Sequence, residues 1–258
     1  YTRSGIQSDE MADYILNDGI RLAEQVFTRT KVAKNELMAT GKVTIKENNL
    51  DLTVDYGVPA AQTAYTLDLT QDEDVASQIQ TIIDAATEKG ITINGMMTSK
   101  KVLTKIRNNK FIQIAINGVN AQGAIVRQAA LEDYLESEFG ISTIITNDLT
   151  YGANVVIDPA TGRPNVTSKR YYPANTITFF MTNPSGRLGV GLWGNPPEVD
   201  LAEFGDKVNA ETAVSPYVYV TQYKTDDPAV IWTKASGLFI PVLYNPDSLY
   251  VASVVNTG

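Results

Sequence analysis

Apolar side chains recur along residues 9–40 with the three-to-four-residue spacing of an amphipathic helix. The principal stripe contains Met11, Ile15, Val26, Ala33 and Leu37. Ser8 suits the N-cap, and Gly41 suits the left-handed position that ends a helix. Gly19 is a weak point that could divide the segment in two. The pattern therefore predicts one long helix, or two shorter ones, at the start of the sequence.

Polar and apolar residues alternate strictly in two neighbouring segments, 42–46 and 51–55. This period predicts two strands, and Asn48-Asn49 between them suits a two-residue turn because asparagine tolerates positive φ. The turn fixes an antiparallel register whose opposed pairs are Lys42 with Asp55, Val43 with Val54, Thr44 with Thr53, Ile45 with Leu52, and Lys46 with Asp51. Every pair is chemically matched, which favours this register over its alternatives.

Further helices are predicted at 72–89, after Ser99, and at 125–139, where Ala129, Leu135 and Phe139 are expected to face inward. In the first of these, Asp72 is expected to cap the start and Gly90 to close the end. A short strand is expected at 91–97. The segment 111–123 looks strand-like before a turn at Asn117-Gly118, so its structure is left open.

After Gly140 the apolar residues occur in short strand-like runs separated by turn residues. The predicted strands are 141–147, 153–158, 167–172, 175–181, 187–193, 215–224, 229–233, 237–244 and 248–255. Helices come first and strands later, with no regular alternation of strand and helix. The order therefore predicts an α+β fold.

Composition narrows the chemistry that this chain can perform. It has 258 residues, 21 Lys and Arg, 29 Asp and Glu, a net charge of −8, no His and no Cys. These absences exclude a Ser-His-Asp triad, a thiolate nucleophile, and zinc or iron–sulfur sites built on thiolates. The acidic balance disfavours tight nucleic-acid binding, and no apolar run is long enough for a transmembrane helix. We therefore expect no membrane partner.

One glycine motif invites a nucleotide-binding interpretation, which its surroundings disfavour. Residues 189–194 (GVGLWG) match the pattern G-x-G-x-x-G, which needs a helix start directly after the glycines. Asn195-Pro196-Pro197 follows instead, and a residue before proline is pushed away from helical angles. We therefore interpret the motif as a strand or loop relieved by glycine.

An acidic cluster at Asp68, Asp72, Glu73 and Asp74 could in principle hold a divalent cation. Its spacing matches no calcium loop, and helix capping accounts for three of the four residues. No Ser-x-x-Lys arrangement occurs in the sequence. We therefore predict no catalytic, cofactor-binding or metal-binding residues.

The hairpin carries four apolar side chains on one face, and an isolated two-stranded ribbon of this kind is marginal. It either packs on its own domain or forms an arm that docks on another subunit. We favour the arm, whose apolar face is then buried only when a neighbour is present. The predicted assembly interface contains Lys42, Val43, Ile45, Lys46, Asp51, Leu52, Val54 and Asp55.

In the order of several short sequence motifs, the chain resembles the major capsid proteins of tailed phages in the lambda capsid protein E family. The motifs are ELMATGK at 36–42, VDYG at 54–57, GLWGNPPE at 191–198, WTKASGLFIPV at 232–242 and NPDSLY at 245–250. The resemblance spans nearly the whole chain. It implies the Hong Kong ninety-seven type of capsid fold, with an extended loop, a spine helix, and peripheral and axial domains.

On this resemblance, hairpin 42–55 corresponds to the extended loop and helix 72–89 to the spine helix. The implied segments are a long helix at 1–41, the extended loop at 42–57, a peripheral domain at 58–92, an axial domain at 93–194, a return to the peripheral domain at 195–235, and closing strands at 236–258. Because the first residue is Tyr1 and not Met, we expect further sequence upstream that includes an amino-terminal arm.

The resemblance implies a structural shell protein that assembles as hexamers and pentamers around packaged double-stranded DNA, without sequence-specific contact. Expected further partners are scaffolding, portal and decoration proteins, and expected locations are the virion capsid and, during assembly, the host bacterial cytoplasm. Two other classes stay open. One is a carboxylate-dependent enzyme of α+β fold, and the other is a cell-surface or layer-forming protein.

Overall fold

A computed structural model describes residues 6–47, 50–121, 123–157, 164–197, 217–226 and 229–255, with side chains described from Gly19 onward. The chain divides into two compact units. The first unit contains residues 1–31 and 191–242, and the second contains residues 32–190 and 243–258. Residues 58–92 and most of 93–194 fall within the second unit, and the division predicted between them stays a prediction.

The described residues form helices and strands in a mixed α and β arrangement, as the sequence predicts. The helices are α1 (Ile6–Thr40), α2 (Val75–Thr87), α3 (Lys100–Asn108), α4 (Lys110–Asn117) and α5 (Gln128–Phe139). The strands are β1 (Lys42–Glu47), β2 (Leu50–Asp55), β3 (Tyr65–Asp68), β4 (Gly95–Thr98), β5 (Thr143–Thr146), β6 (Thr150–Ile157), β7 (Pro164–Arg170), β8 (Thr176–Phe180), β9 (Gly189–Gly194), β10 (Tyr219–Asp226), β11 (Ala229–Ser236), β12 (Leu238–Leu243) and β13 (Leu249–Val255).

Helix α1 runs for 35 residues without interruption. It begins at Ile6, so Ser8 lies inside the helix and the predicted cap there is wrong. Gly19 does not divide it, since a helix of this length tolerates one glycine at a cost of about 1 kcal/mol. The helix ends at Gly41 as predicted. This glycine has φ 70° and donates its N–H to the carbonyl of Leu37 at 2.8 Å.

The second unit is built on a five-stranded sheet with the order β3-β13-β8-β4-β5. Strand β13 pairs with β3 in parallel and with β8 antiparallel, and β4 pairs with β8 antiparallel and with β5 in parallel. The sheet is therefore mixed. Its partners come from distant parts of the chain, which strand patterns alone cannot specify.

Side chains on the two faces of this sheet enter two separate hydrophobic cores, as the alternation along a strand requires. On one face, Met96, Phe179 and Tyr250 pack with the apolar sides of α2, α3, α4 and α5. On the other, the core residues are Ala33, Leu37, Ala39, Val43, Met97, Tyr172, Phe180, Leu243, Leu249 and Val251. The end of α1 and the first hairpin strand thus belong to the second core.

Two local predictions in this unit are wrong, and one segment that the sequence left open is a helix. Helix α2 is capped by Asp74, whose carboxylate accepts from the N–H of Ser77, and not by Asp72. Residues 110–117, within the segment left open, form helix α4. Its cap is the buried Asn109, which accepts from the N–H groups of Phe111 and Ile112. In the last helix Ala129 is exposed, because α5 turns Leu131, Leu135 and Phe139 inward instead.

The first unit combines residues 6–31 of α1 with two ribbons of two strands each. One is the antiparallel pair of β10 and β11, and the other pairs β9 with β12. Trp193 is central to it. Its ring stacks on Tyr217 with centroids 5.3 Å apart and also meets Phe27 and Phe239. The glycine motif at 189–194 is strand β9, in agreement with the interpretation as a glycine-relieved strand.

Candidate assembly surface

Strands β1 and β2 form the antiparallel hairpin in the register that the sequence predicts. All five predicted pairs are present, and Glu47 with Leu50 extends the ladder by one more pair. The predicted turn residues Asn48 and Asn49 lie outside the described residues. The matched side chains therefore identify the register correctly without reference to any other part of the chain.

Two ion pairs lie across the hairpin on its polar face. Lys42 Nζ is 2.8 Å from Asp55 Oδ2, and Lys46 Nζ is 3.1 Å from Asp51 Oδ2. All four side chains are more than half exposed, so these pairs contribute more to register than to stability. A hydrogen bond from Lys42 and another from the N–H of Gly57 hold the pKa of Asp55 below its ordinary value of 3.8.

The hairpin is attached to the end of α1 by a hydrogen bond from its first strand, and a second bond closes its base between the flanking residues. Glu36 Oε1, on the last turns of α1, accepts from the N–H of Thr44 at 3.1 Å. The N–H of Tyr56 donates to the carbonyl of Gly41 at 3.3 Å, where the hairpin begins and ends. The root of the hairpin is therefore held against its own subunit.

The apolar face of the hairpin divides between its two strands. On β1, Val43 is only 3% exposed and Ile45 packs against the second core. On β2, Leu52 is 46% exposed and Val54 is half-buried. The prediction that all four side chains are buried only by a neighbour is thus wrong for Val43, because that side chain is already buried in the second core of its own subunit.

A buried hydroxyl chain reinforces the core beneath the hairpin. Thr178 Oγ1 donates to the carbonyl of Met38 at 2.8 Å, in the last turn of α1. The hydroxyl of Tyr172 lies 2.7 Å from Thr178 Oγ1 and also donates to the carbonyl of Met97 at 3.3 Å. Burial raises the pKa of Tyr172, so this hydroxyl stays protonated. The chain binds the end of α1 to strand β8.

The acidic cluster at Asp68 to Asp74 is divided among local structural roles. Asp68 accepts from both the N–H and the hydroxyl of Thr70, Asp74 caps α2, and Asp72 lies 3.8 Å from Lys110. Within the described ranges, no three Asp or Glu residues are grouped so that they could hold a metal ion. The helices of those ranges also include none that is long and apolar enough to cross a bilayer.

Two helices of opposite charge were not singled out from the sequence. Helix α3 (KKVLTKIRN) has four basic residues and no acidic one, and α5 (QAALEDYLESEF) has four acidic residues and no basic one. A search for single-sign runs within predicted helices would have found both. Each was interpreted only for its apolar stripe, which hid this asymmetry.

Comparison with known proteins gives one match of nearly full length. The family described as "Phage major capsid protein E" matches residues 2–254. Among curated proteins the comparison finds no match. Among solved structures, the chain is similar to a phage-related protein from Bordetella bronchiseptica RB50, with 12% sequence identity and a TM-score of 0.43. That similarity covers 76% of this chain, which spans 59% of the length of the solved one.

Proposed function

The chain belongs to the phage major capsid protein E family and has a structural role in the capsid, and from this premise we propose how it acts. Copies of the chain associate into hexamers and pentamers, which form an icosahedral shell around packaged double-stranded DNA. The family match favours this role over the carboxylate-dependent enzyme that the composition left open.

The observation that carries the assembly proposal is that one strand of the hairpin is held on its own subunit, while the other exposes an apolar side chain to solvent. Val43 and the hydrogen bond from Thr44 to Glu36 hold β1 on its own subunit. Strand β2 presents Leu52, a large apolar side chain that is 46% exposed. Because about half of Leu52 is already covered, burying the rest in a neighbour contributes up to about 1–1.5 kcal/mol per contact. Repeated around a shell, this contribution supports association of many copies.

The lengths of the helices support a revised correspondence with the capsid fold. Helix α2, which the resemblance suggested as the spine helix, has 13 residues, whereas α1 has 35. We assign the spine helix to α1 and the peripheral domain to the unit of 1–31 and 191–242. The axial domain is then the second unit, with its five-stranded sheet and four short helices. The hairpin leaves that unit at the end of the spine.

The acidic balance of the chain suits a container for DNA. A net charge of −8 repels phosphate overall, so cargo is enclosed without being bound in place. Contacts with DNA are accordingly nonspecific in this proposal. Scaffolding, portal and decoration proteins are proposed as further partners in the host bacterial cytoplasm, where the virion capsid is assembled.

The test compares two aspartate substitutions on neighbouring positions of β2 in the full-length protein. Leu52→Asp changes the apolar face, and Thr53→Asp places the same charge on the opposite, exposed face. We expect the Thr53 variant to form shells or rings in negative-stain microscopy and the Leu52 variant to stay unassembled. Thermal unfolding followed by circular dichroism should give similar midpoints for both.

The result that would overturn the hairpin contact is normal assembly of the Leu52 variant. Failure of the wild-type full-length protein to assemble under any salt or concentration would instead count against self-assembly itself. Val43→Asp serves as a positive control for damage to the fold, because that position is buried within its own subunit.

A further inference from the structure

Helix α3 presents a positively charged surface. Lys100 and Lys101 are exposed in its first turn, and within the described part of the chain neither side chain forms an ion pair. Together with Lys105 they line a shallow cavity of about 530 Å³, whose other residues are Gln71, Thr104, Asn108 and Asp148. The lysines outnumber the one carboxylate in this cavity, so the surface favours a negatively charged partner.

The carboxylate of Asp148 is already engaged inside the subunit. Burial raises the pKa of this carboxyl, but hydrogen bonds from Arg170 and from the N–H of Lys100, with the charges of both residues, lower it below the ordinary value of 3.8. The backbone bond from Lys100 measures 3.0 Å. Asp148 is thus bonded to Arg170 and to the backbone of Lys100, while the side chains of Lys100 and Lys101 stay exposed at the surface.

Helix α5 presents the complementary surface. Asp133, Glu136 and Glu138 are exposed, and among the described residues no Lys or Arg pairs with them. Burial and then the negative charges of Glu138 and Asp74 raise the pKa of Tyr134, which lies on the same helix. The electrostatic potential at α5 is therefore negative, whereas the electrostatic potential at α3 is positive.

The two charged helices belong to one layer of the same unit. Both pack on the same face of the five-stranded sheet, and α4 contacts each of them. They are thus two separate surfaces on one rigid layer, equal in formal charge and opposite in sign.

We propose that α3 of one copy docks on α5 of the neighbouring copy. This inference rests on the proposed self-assembly and names a second contact, independent of the hairpin. The contact joins two different surfaces, so it is heterologous, and repetition of a heterologous contact closes into a ring when the rotation permits. The exposed lysines and carboxylates set the orientation of the two copies more than the strength of their association.

A second copy fits the charges better than a nucleic acid does. Phosphate backbones are bound by surplus positive charge, whereas this chain carries a net charge of −8. The exposed Lys100 and Lys101 of α3 have exposed acidic counterparts on α5 of every other copy, namely Asp133, Glu136 and Glu138. A shell contains many copies at high local concentration, so each copy has another copy beside it to bind.

The test uses two charge reversals in the full-length protein. The first variant, Lys100→Glu with Lys101→Glu, places acids in the first turn of α3, and the second, Glu136→Lys with Glu138→Lys, places bases in the last turn of α5. Each change suits the dipole of its helix, so folding should be preserved. The control is Lys89→Glu with Arg187→Glu, which changes net charge as the first variant does, at exposed positions outside both helices.

We expect each reversal alone to raise the protein concentration needed for assembly by at least about tenfold, because like charges then face each other. The control should assemble as the wild type does, and added NaCl should weaken wild-type assembly. An equimolar mixture of the two reversed variants should assemble again, since alternating copies restore every contact. That mixture should give even-membered rings and no pentamers.

Normal assembly of either reversed variant would overturn the contact, and so would a mixture that fails to recover while both variants remain folded by circular dichroism. A duplex DNA probe covers the other partner class. If DNA binds the wild type and only the α3 reversal abolishes both binding and assembly, the partner is nucleic acid and the proposal is wrong. If the wild type itself does not assemble, self-assembly fails and this contact fails with it.

Discussion

The hydroxyl of Tyr172 lies 2.7 Å from Oγ1 of Thr178, and both side chains are fully buried. Thr178 Oγ1 donates a hydrogen bond to the carbonyl of Met38, which belongs to the last turn of α1. Carbonyls in a last turn lack helical partners, so Thr178 acts as a C-terminal cap supplied by the sheet. The end of the 35-residue helix is thereby fixed relative to β8.

Replacing Thr178 by Val should lower the free energy of unfolding by about 1–3 kcal/mol, because a buried carbonyl then loses its donor. Tyr172→Phe should cost less, about 0.5–1.5 kcal/mol, since Thr178 keeps its bond to Met38. Urea unfolding followed by far-ultraviolet circular dichroism measures both values. An equal or larger loss for the Tyr172 variant would contradict the importance assigned to the bond between Thr178 and Met38.

Gly41→Ala should be more damaging than Gly57→Ala, although both glycines have positive φ. An alanine at either position incurs about 1–2 kcal/mol for the left-handed conformation. At Gly41 the new methyl group would also lie 2.8 Å from Val58, whereas nothing lies within 4 Å at Gly57. Urea unfolding should show this difference. The steric argument fails if the two glycine variants unfold alike.

Asn109→Asp should destabilise the second unit even though aspartate is a good helix cap. The amide of Asn109 donates to the carbonyls of Thr70 and Glu73 at 3.1 and 3.0 Å, in a fully buried position. A carboxylate cannot donate, so we expect a loss of at least about 2 kcal/mol in the free energy of unfolding. Asn108→Asp, at the exposed neighbouring position, should stay within about 0.5 kcal/mol of the wild type.

Lys42→Met should raise the pKa of Asp55 towards its ordinary value of 3.8, because the hydrogen bond from Lys42 is the main cause of the lowered pKa. A carboxyl whose pKa is lowered by folding stabilises the folded state above its ordinary pKa. That contribution is lost as the pH falls through the lowered value. Carbon-13 NMR titration of the Asp55 carboxyl measures the change. An unaltered titration midpoint would show that the bond from Gly57 alone holds the pKa down.

Prediction from the sequence was correct where the local structure depends on interactions between residues close together in the sequence. The hairpin register follows from adjacent pairs such as Lys46 with Asp51, and these contacts need no other part of the molecule. The cap at Ser99, which accepts from the N–H of Val102, is likewise local. Gly41, Gly90 and Gly140 each have the positive φ that their positions after predicted helices required.

The failures concern contacts between distant segments. Residues 110–117 contain β-branched residues at alternate positions, and the helix there depends on Asn109, whose amide is satisfied by carbonyls nearly forty positions away. Val43 looked available for a neighbour because nothing in the hairpin shows that it belongs to one core with Tyr172 and Leu249. For the candidate surface, the eight residues were found correctly as a hairpin, while their division into anchored and exposed strands needed the tertiary structure.

The position of β13 in the sheet has a consequence for the timing of folding during synthesis. Strand β3 pairs with β13, and Thr66 and Ser253 in these strands are 187 positions apart. At typical rates of translation, roughly 10–40 s pass between the appearance of one strand and that of its partner. During that interval the edge of the nascent sheet has no partner, and β8 lacks its antiparallel neighbour on one side. Newly made chains therefore cannot offer a finished subunit to one another on the ribosome, and the sheet is completed only near the end of translation.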